Sequence, residues 1–201
     1  CIIRHCYEVM YINCEEHGYK NWVFYVKKIL IDLGFFDIWS NQKINNGILQ
    51  LVKQRIFDQA KQDIFANVEN SKKCSFYKYL IDGIHLQYYL RKSIPIKLQK
   101  YITKLRLSSH RLAIETGRYN NTNRENRFCP HCKSSVEDEF HFLFVCPLYR
   151  TLRRLYMKEY YYKKPCMFKL IQLFNTDNVK DLCNLGKFIS KSMLLRDNCI
   201  T

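Results

Sequence analysis

Three cysteines and one histidine within eighteen residues constrain this chain more than any other feature of its sequence. Two residues separate Cys129 from Cys132, eight more precede His141, and four more precede Cys146. A Cys-x-x-Cys turn directs both sulfurs to one point, and a histidine and a cysteine from the next element complete a tetrahedral ligand set. Thiolate and imidazole suit Zn2+, and four protein ligands leave no coordination position for a substrate. The spacing therefore predicts a structural zinc site.

We refer to residues 129–146 as the finger. His131 lies between the first two ligands, and we expect it to point outward because the turn directs the intervening side chains away from the metal. The alternative to a zinc site is that the four residues cluster by chance, since the chain has ten cysteines and six histidines.

The composition favours helices joined by short loops. The 201 residues are 47% hydrophobic, and there are only six glycines and four prolines, too few for an architecture rich in β-turns. We predict a mostly α fold, a helical domain with a small embedded zinc knuckle of Cys-Cys-His-Cys type. We divide the chain into a helical region (1–94), a basic zinc-knuckle region (95–165) and C-terminal helices that pack on the rest (166–201).

Apolar spacing and helix-end residues predict the individual helices. Asn21 is expected to cap the first and Gly34 to end it. Ser108 or Ser109 is expected to cap a short helix that Gly117 closes. Because His141 and Cys146 lie five residues apart and so do not share an ideal helical face, the element that carries them must bend or begin between them, which Pro147 permits. Further helices are predicted at 45–68, 74–91, 95–105, 140–156, 166–174 and 179–195.

Positive charge is concentrated around the finger. The formal net charge is +15, and residues 97–164 carry 15 basic and 6 acidic residues, a net +9. Such a balance indicates a polyanionic partner, most commonly nucleic acid, with solvated helix faces as the alternative. Arg150, Arg153 and Arg154 have i, i+3, i+4 spacing and are expected to lie on one face of a helix. The candidate contacts are Arg106, Arg111, Arg118, Arg124, Arg127, Arg150, Arg153 and Arg154.

Catalytic motifs are missing from the sequence. It has neither a glycine-rich phosphate-binding loop nor a recognisable nucleophile–base pair, so we predict no enzyme activity for this chain. Glu137, Asp138 and Glu139 are expected to begin a helix, where the backbone dipole favours acids; a magnesium site is the alternative.

The sequence also bears on location and completeness. Scattered cysteines outside the finger, no signal peptide and no apolar run of about 20 residues predict an intracellular protein, nuclear or cytoplasmic, with no membrane partner. Since the chain begins with Cys1 and not with methionine, we expect a fragment of a longer protein.

Several motifs resemble one protein family. They are Leu-Arg-Leu-Ser-Ser-His at 105–110, Ile-Glu-Thr-Gly-Arg-Tyr at 114–119, and the finger with Glu-Asp-Glu-Phe-His-Phe at 137–142 and Val-Cys-Pro at 145–147. Together they resemble the C-terminal region of non-LTR retrotransposon reverse transcriptases, especially those abundant in invertebrate genomes. Asn21-Trp22, the Leu-Gly-Phe at 33–35 and Trp39 are similar to the segment upstream in the same proteins, so the resemblance covers most of the chain.

The resemblance implies a function. In that family a zinc knuckle lies behind the polymerase and thumb and is implicated in holding template RNA or target DNA during target-primed reverse transcription. The ligand roles map onto Cys129, Cys132, His141 and Cys146, and the implied partners are nucleic acid and an upstream polymerase domain of the same polypeptide. This chain has no Tyr-x-Asp-Asp polymerase motif, and the Pro-Asp pair of the nuclease found in some members is not matched, since Cys166 follows Pro165.

Two other functions are compatible with the sequence. One is a structural or protein-interaction module in which zinc only staples helices together, without binding nucleic acid. The other is a degenerate nuclease, which requires magnesium-dependent cleavage.

Overall fold

Helices account for most of the structure. The computed structural model describes residues 2–43 and 45–200. Within them no β-strand forms, and the one strand-like pairing is an isolated antiparallel bridge between Phe128 and Val136. The α-helices are α1 (Ile2–Glu15), α2 (Trp22–Asp32), α3 (Phe36–Asn41), α4 (Asn46–Asn70), α5 (Tyr88–Arg91), α6 (Ile96–Arg106), α7 (Ala113–Tyr119), α8 (Arg150–Tyr156), α9 (Glu159–Tyr162), α10 (Met167–Phe174) and α11 (Val179–Ile200).

The chain divides into two compact units, and the boundary falls inside α4. One unit extends to Phe65 and the second begins at Ala66, so the whole finger and the C-terminal helices belong to the second unit. The region boundaries given above at 94/95 and 165/166 stay a prediction. None of the described helices has both the length and the apolarity needed to cross a bilayer.

Local capping fixes α2 in the first unit, as predicted. The Asn21 side-chain oxygen accepts hydrogen bonds from the backbone N–H of Val23 at 3.0 Å and of Phe24 at 3.2 Å, which satisfies two donors that the helix leaves free. Gly34, at φ +80°, follows the helix, a conformation that residues with a Cβ rarely adopt.

A small core holds α1, α2 and α3 together. It contains the buried side chains of Cys14, Val23, Leu30 and Trp39, and the ring of Tyr11 stacks on Trp39 at 5.8 Å between centroids. Trp39 therefore packs in the core.

The core of the second unit is built around α11. Leu182, Leu185, Phe188 and Ile189 are buried on one face of this helix, as their spacing predicts. Helix α6 packs closely against it, because Gly186 leaves room for the backbone and Cβ of Leu98.

An aromatic cluster joins the finger to this core. The ring of Phe142 lies 4.9 Å from that of Tyr149 and 5.8 Å from that of Phe188, both edge-on. Edge-to-face aromatic pairs stabilise a fold by more than the burial of their apolar area alone. The finger is therefore part of the second unit's core and not an appendage.

The prediction and the structure differ in two segments of the chain. Residues 74–91 were predicted to be helical but form a 3-10 turn at Tyr77–Tyr79 and the short α5. Phe76 and Tyr89 from this segment are buried in the core, Phe76 edge-on against Phe174 at 5.3 Å, whereas Tyr79 and Tyr88 are exposed. The burial of those two rings outweighs helical periodicity. Conversely, α1 was not predicted, although Tyr7, Tyr11 and Cys14 from this helix pack in the small core of the first unit.

The ends of two other helices depend on distant residues. Helix α7 begins where the backbone N–H of Ala113 donates to the Glu137 carboxylate at 2.7 Å, so neither Ser108 nor Ser109 caps it. Gly117 lies inside α7 rather than closing it. A Cβ there would lie 2.6 Å from Cγ of Arg127, so the glycine leaves room for that side chain. Helix α11 continues past the predicted end at 195, because Arg196 on its next turn is buried in an ion pair.

We predict that Gly186→Ala destabilises the second unit. The new Cβ would lie 2.7 Å from Leu98 Cβ and 3.2 Å from its backbone, so the two helices must separate, at a cost of about 1–3 kcal/mol. Better helix propensity offsets up to ~1 kcal/mol of this. Urea unfolding followed by circular dichroism measures the change. Lys187→Ala, at the exposed neighbouring position, is the control, and greater stability of Gly186→Ala would contradict the prediction.

Candidate metal centre

Backbone hydrogen bonds shape the first half of the finger. The N–H of Cys129 donates to the carbonyl of Ser135, and the N–H of Lys133 donates to the carbonyl of Cys129, both at 2.9 Å. Lys133 adopts the left-handed conformation at φ +54°, which reverses the chain after the second cysteine. The resulting turn presents the sulfurs of Cys129 and Cys132 on one side.

A π-helical turn supplies the other two ligands. Residues His141–Val145 form it, and the N–H of Cys146 donates to the carbonyl of His141 at 2.8 Å. This i to i+5 hydrogen bond widens the turn by one residue relative to an α-helix. It therefore places two residues with five-residue spacing on the same side, which an ideal α-helix does not. The bend predicted between His141 and Cys146 is this π-helical turn.

Two charged side chains cap the π-helical turn. At its start Asp138 Oδ1 accepts from the N–H of His141 at 2.8 Å. At its end the Arg153 guanidinium donates to the carbonyls of Leu143 and Cys146. These contacts satisfy backbone groups that a single turn leaves without partners.

The four predicted ligands converge. Their ligand atoms all lie within 4.8 Å of one another. The sulfurs of Cys129 and Cys146 are 3.9 Å apart, and Cys132 Sγ lies 3.3 Å from His141 Nε2. A tetrahedral zinc site has sulfur–sulfur edges of about 3.8 Å and sulfur–nitrogen edges of about 3.6 Å. The cluster can thus hold a metal ion.

Burial governs the protonation of the cluster. Three of the four ligands are buried and Cys132 is half-buried, while His131 is exposed and lies outside the cluster, as expected. Burial raises the pKa of Cys129, raises that of Cys146 to about 12 and lowers that of His141. Burial also acts to raise the pKa of Cys132, but its hydrogen bonds, chiefly with Ser134, lower it overall. A bound cation favours the thiolates, so metal binding releases protons.

Ser135 is a site residue that the sequence did not reveal. Its Oγ lies 2.8 Å from His141 Nδ1, so a hydrogen bond there orients the ring and leaves Nε2 facing the cysteines. Such outer partners fix the tautomer of ligating histidines. A serine between the first two ligands and the last two has no distinctive spacing in the sequence. Only the folded turn of the finger brings it to the imidazole of His141.

Glu137 and Glu139 connect the finger to other elements. Glu137 accepts two hydrogen bonds from Arg196, each at 2.7 Å, and the pair is buried. Glu139 contacts His110 Nε2 at 2.9 Å and accepts from Ser108 Oγ at 3.0 Å. Of the three acids expected to begin a helix, only Asp138 caps the turn that follows.

Two of the eight candidate arginines are inaccessible, which corrects the expectation that they bind nucleic acid. Arg106 is 2% exposed and donates to the carbonyl of Phe174 and to the side chain of Gln87. Arg153 is 5% exposed and caps the π-helical turn. Burial lowers the pKa of both guanidinium groups. Arg150, Arg153 and Arg154 therefore do not form one exposed basic face, because Arg153 is buried.

The other six arginines are at least partly accessible. Arg127 is half-buried and donates to the carbonyls of Ile114 and Thr122. Arg118 pairs with Glu115 and stacks on Tyr119. Those classed as exposed are Arg111, Arg124, Arg150 and Arg154.

No disulfide forms among the described cysteines. All nine of them are free thiols, and Cys1 lies outside the described residues.

We predict that Glu137→Leu costs about 3–5 kcal/mol, because it leaves the Arg196 charge buried without its partner. The double variant Glu137→Leu/Arg196→Met should recover much of that loss, since replacing a whole buried pair by apolar groups is often close to neutral. Urea unfolding of the single and double variants gives the coupling free energy. The control is Glu159→Ala, which removes the exposed pair with Lys163 and should change stability by less than about 1 kcal/mol. Additive effects in the double variant would contradict the prediction.

Comparisons of the chain with protein-family models, with curated proteins and with solved structures found no match.

Proposed function

We propose that the cluster binds one Zn2+ ion that stabilises the finger, within a nucleic-acid-binding C-terminal region of a non-LTR retrotransposon reverse transcriptase. In this proposal the partners are RNA or DNA and an upstream polymerase domain of the same polypeptide, and the chain itself carries out no catalytic step. The observation that supports the metal most directly is the approach of three sulfurs and one imidazole nitrogen to within 4.8 Å of one another.

The chemistry of the donors favours zinc over other common metals. Magnesium and calcium take oxygen ligands, and no carboxylate belongs to this cluster. Soft thiolates with one imidazole suit tetrahedral Zn2+. The four side chains complete the coordination and three of them are buried, so a stabilising role follows and Lewis-acid catalysis does not.

The distribution of charge supports a nucleic-acid partner. The chain carries a net charge of +15, and Arg124, Arg150 and Arg154 are exposed just before and just after the finger in sequence. Contacts from such side chains go mainly to phosphates, so little sequence preference is expected.

A second candidate function also has support. Arg106, Arg153, Glu137 and Glu139 belong to the segments that carry the family resemblance or flank the finger, and all four are buried. Their roles in the fold favour a module that zinc holds together for protein interaction. The response to salt separates the two functions, because binding to phosphates weakens steeply as salt rises.

We predict that the purified chain holds one zinc and that Cys132→Ser abolishes stoichiometric binding. Zinc contributes on the order of 10 kcal/mol to the folding of isolated fingers, so residues from about 124 to 147 should lose amide-exchange protection. The core formed by α1, α2 and α3 should keep its protection because it lies in the other unit. Elemental analysis and hydrogen exchange measure the two effects.

Two further variants bracket this result. Ser135→Ala should retain the metal with affinity about 10- to 100-fold lower, since it removes the partner of His141 Nδ1. Cys183→Ser, outside the cluster, should leave metal binding unchanged. Protection over 124–147 that survives a chelator would show that the metal does not stabilise the finger.

We predict that Arg150→Ala/Arg154→Ala weakens binding to single-stranded RNA without affecting stability. Each lost phosphate contact should reduce the slope of log affinity against log salt by about 0.7, and the pair by about 1.4. Arg153→Ala should instead destabilise the finger, because it removes the cap of the π-helical turn. Fluorescence anisotropy at several salt concentrations gives the slopes. An absence of nucleic-acid binding by the zinc-loaded chain at low salt would favour the protein-interaction module.

A further inference from the structure

Two grooves adjoin beside the finger and share Arg111 and Asp197 as lining residues. The first has a volume of about 210 Å³ and lies between α6, α11 and the loop before α7. This is below the roughly 300–1,000 Å³ of small-molecule sites, so a whole cofactor does not fit while a single ring or phosphate does. The remaining lining residues are Tyr101, Lys104, Leu105, Ser109, His110, Ile189 and Met193.

The second groove lies against the finger itself. Its volume is about 520 Å³, and its other lining residues are Ala113, Thr116, Phe128, Pro130 and Arg196. Phe128, the residue directly before the first ligand, is 49% exposed. An aromatic ring exposed in a groove lined by cations can stack on a nucleobase.

Phe128 is held in place by the residues around it. It forms the isolated bridge with Val136, and the N–H of the following Cys129 donates to Ser135 at 2.9 Å. The ring is therefore presented from a fixed backbone, and stacking on it loses little conformational entropy.

Lys104 and Arg111 supply the accessible positive charge in the two grooves, and the Asp197 carboxylate partly offsets it. Lys104 is exposed, and the Arg111 side chain is 78% exposed with one nitrogen 3.1 Å from the Asp197 carboxylate. The charge of Arg196 is balanced by Glu137, and His110 contacts Glu139. Lys104 and Arg111 are thus the cations most accessible to a phosphate, and Asp197 positions the second of them.

We propose that the two grooves form a continuous track for a single strand of nucleic acid, with a base stacked on Phe128 and phosphates bound by Arg111 and Lys104. This inference rests on the proposed function and specifies its substrate class. A single strand is favoured over a duplex because the face of a base reaches an aromatic ring only when the base is unstacked.

The test compares base-bearing and abasic strands of equal length on the zinc-loaded, full-length chain. The probes are a fluorescent 12-nucleotide DNA strand and the same strand with abasic sites throughout. Wild type should bind the base-bearing strand more tightly. Phe128→Ala should lose roughly five- to 150-fold in affinity for that strand, which corresponds to 1–3 kcal/mol for one stacked base. It should lose almost nothing for the abasic strand, whereas Phe128→Tyr should keep the preference.

The phosphate contacts have a separate readout. Lys104→Ala/Arg111→Ala should lower affinity for both strands and reduce the salt slope by about 1.4. Phe168→Ala and Lys187→Ala, at exposed positions outside both grooves, should change neither quantity. Zinc content and urea unfolding of every variant show whether it is folded.

Different outcomes of these measurements test the single-strand track and the proposed function independently. If wild type binds neither strand at low salt, the proposed function fails. If wild type binds both strands equally, or if Phe128→Ala weakens both equally, base stacking at Phe128 is refuted while nucleic-acid binding stands. If only Arg150→Ala/Arg154→Ala changes the salt slope, the phosphate path lies elsewhere. A Phe128→Ala variant that does not fold leaves the wild-type preference and Phe128→Tyr as the deciding measurements.

Discussion

The buried ion pair between Glu137 and Arg196 connects the finger to the rest of the second unit. The Glu137 carboxylate accepts both hydrogen bonds from Arg196 on α11 and also the N–H of Ala113 that begins α7. The Glu137 side chain thereby links the finger to the last turns of α11 and to the start of α7. Although burial alone acts to lower the pKa of Arg196, its hydrogen bonds and charge interaction with Glu137 raise it, so Arg196 keeps its charge.

Around the cluster, each ligand-bearing segment is held by contacts that do not involve a metal. Ser135 orients the imidazole, Asp138 starts the π-helical turn and Arg153 ends it. Preorganisation of this kind reduces the conformational entropy lost when a metal binds. The last of these contacts also accounts for the burial of Arg153, which the sequence suggested was available to a partner.

Local signals predicted what local interactions determine. The cap at Asn21, the apolar face of α11 and the ligand spacing from Cys129 to Cys146 are each set by residues close in sequence, and each prediction agrees with the structure. Other features depend on contacts between distant segments. Arginines at 150, 153 and 154 have the spacing of an exposed basic face, yet the middle one turns inward because carbonyls at the end of the π-helical turn need a donor. Likewise, Gly117 has the appearance of a helix stop and is in fact a gap filled by the side chain of Arg127.

The π-helical turn has a consequence for which changes in chain length the finger tolerates. An α-helix advances by about 100° per residue, so five residues of α-helix would place Cys146 about 140° around the axis from His141, and it is the π-helical hydrogen bond that keeps the two on one side. One added residue would turn Cys146 away in either kind of helix, whereas removing the exposed Val145 would give the four-residue spacing that an α-helix places on one face. The polar loop at 120–123 has no such constraint, because it contributes no ligand and lies outside the described helices. Insertions among natural variants of this chain should accordingly accumulate in that loop and be excluded between His141 and Cys146, where the loss of one residue is tolerated only if the π-helical turn becomes α-helical.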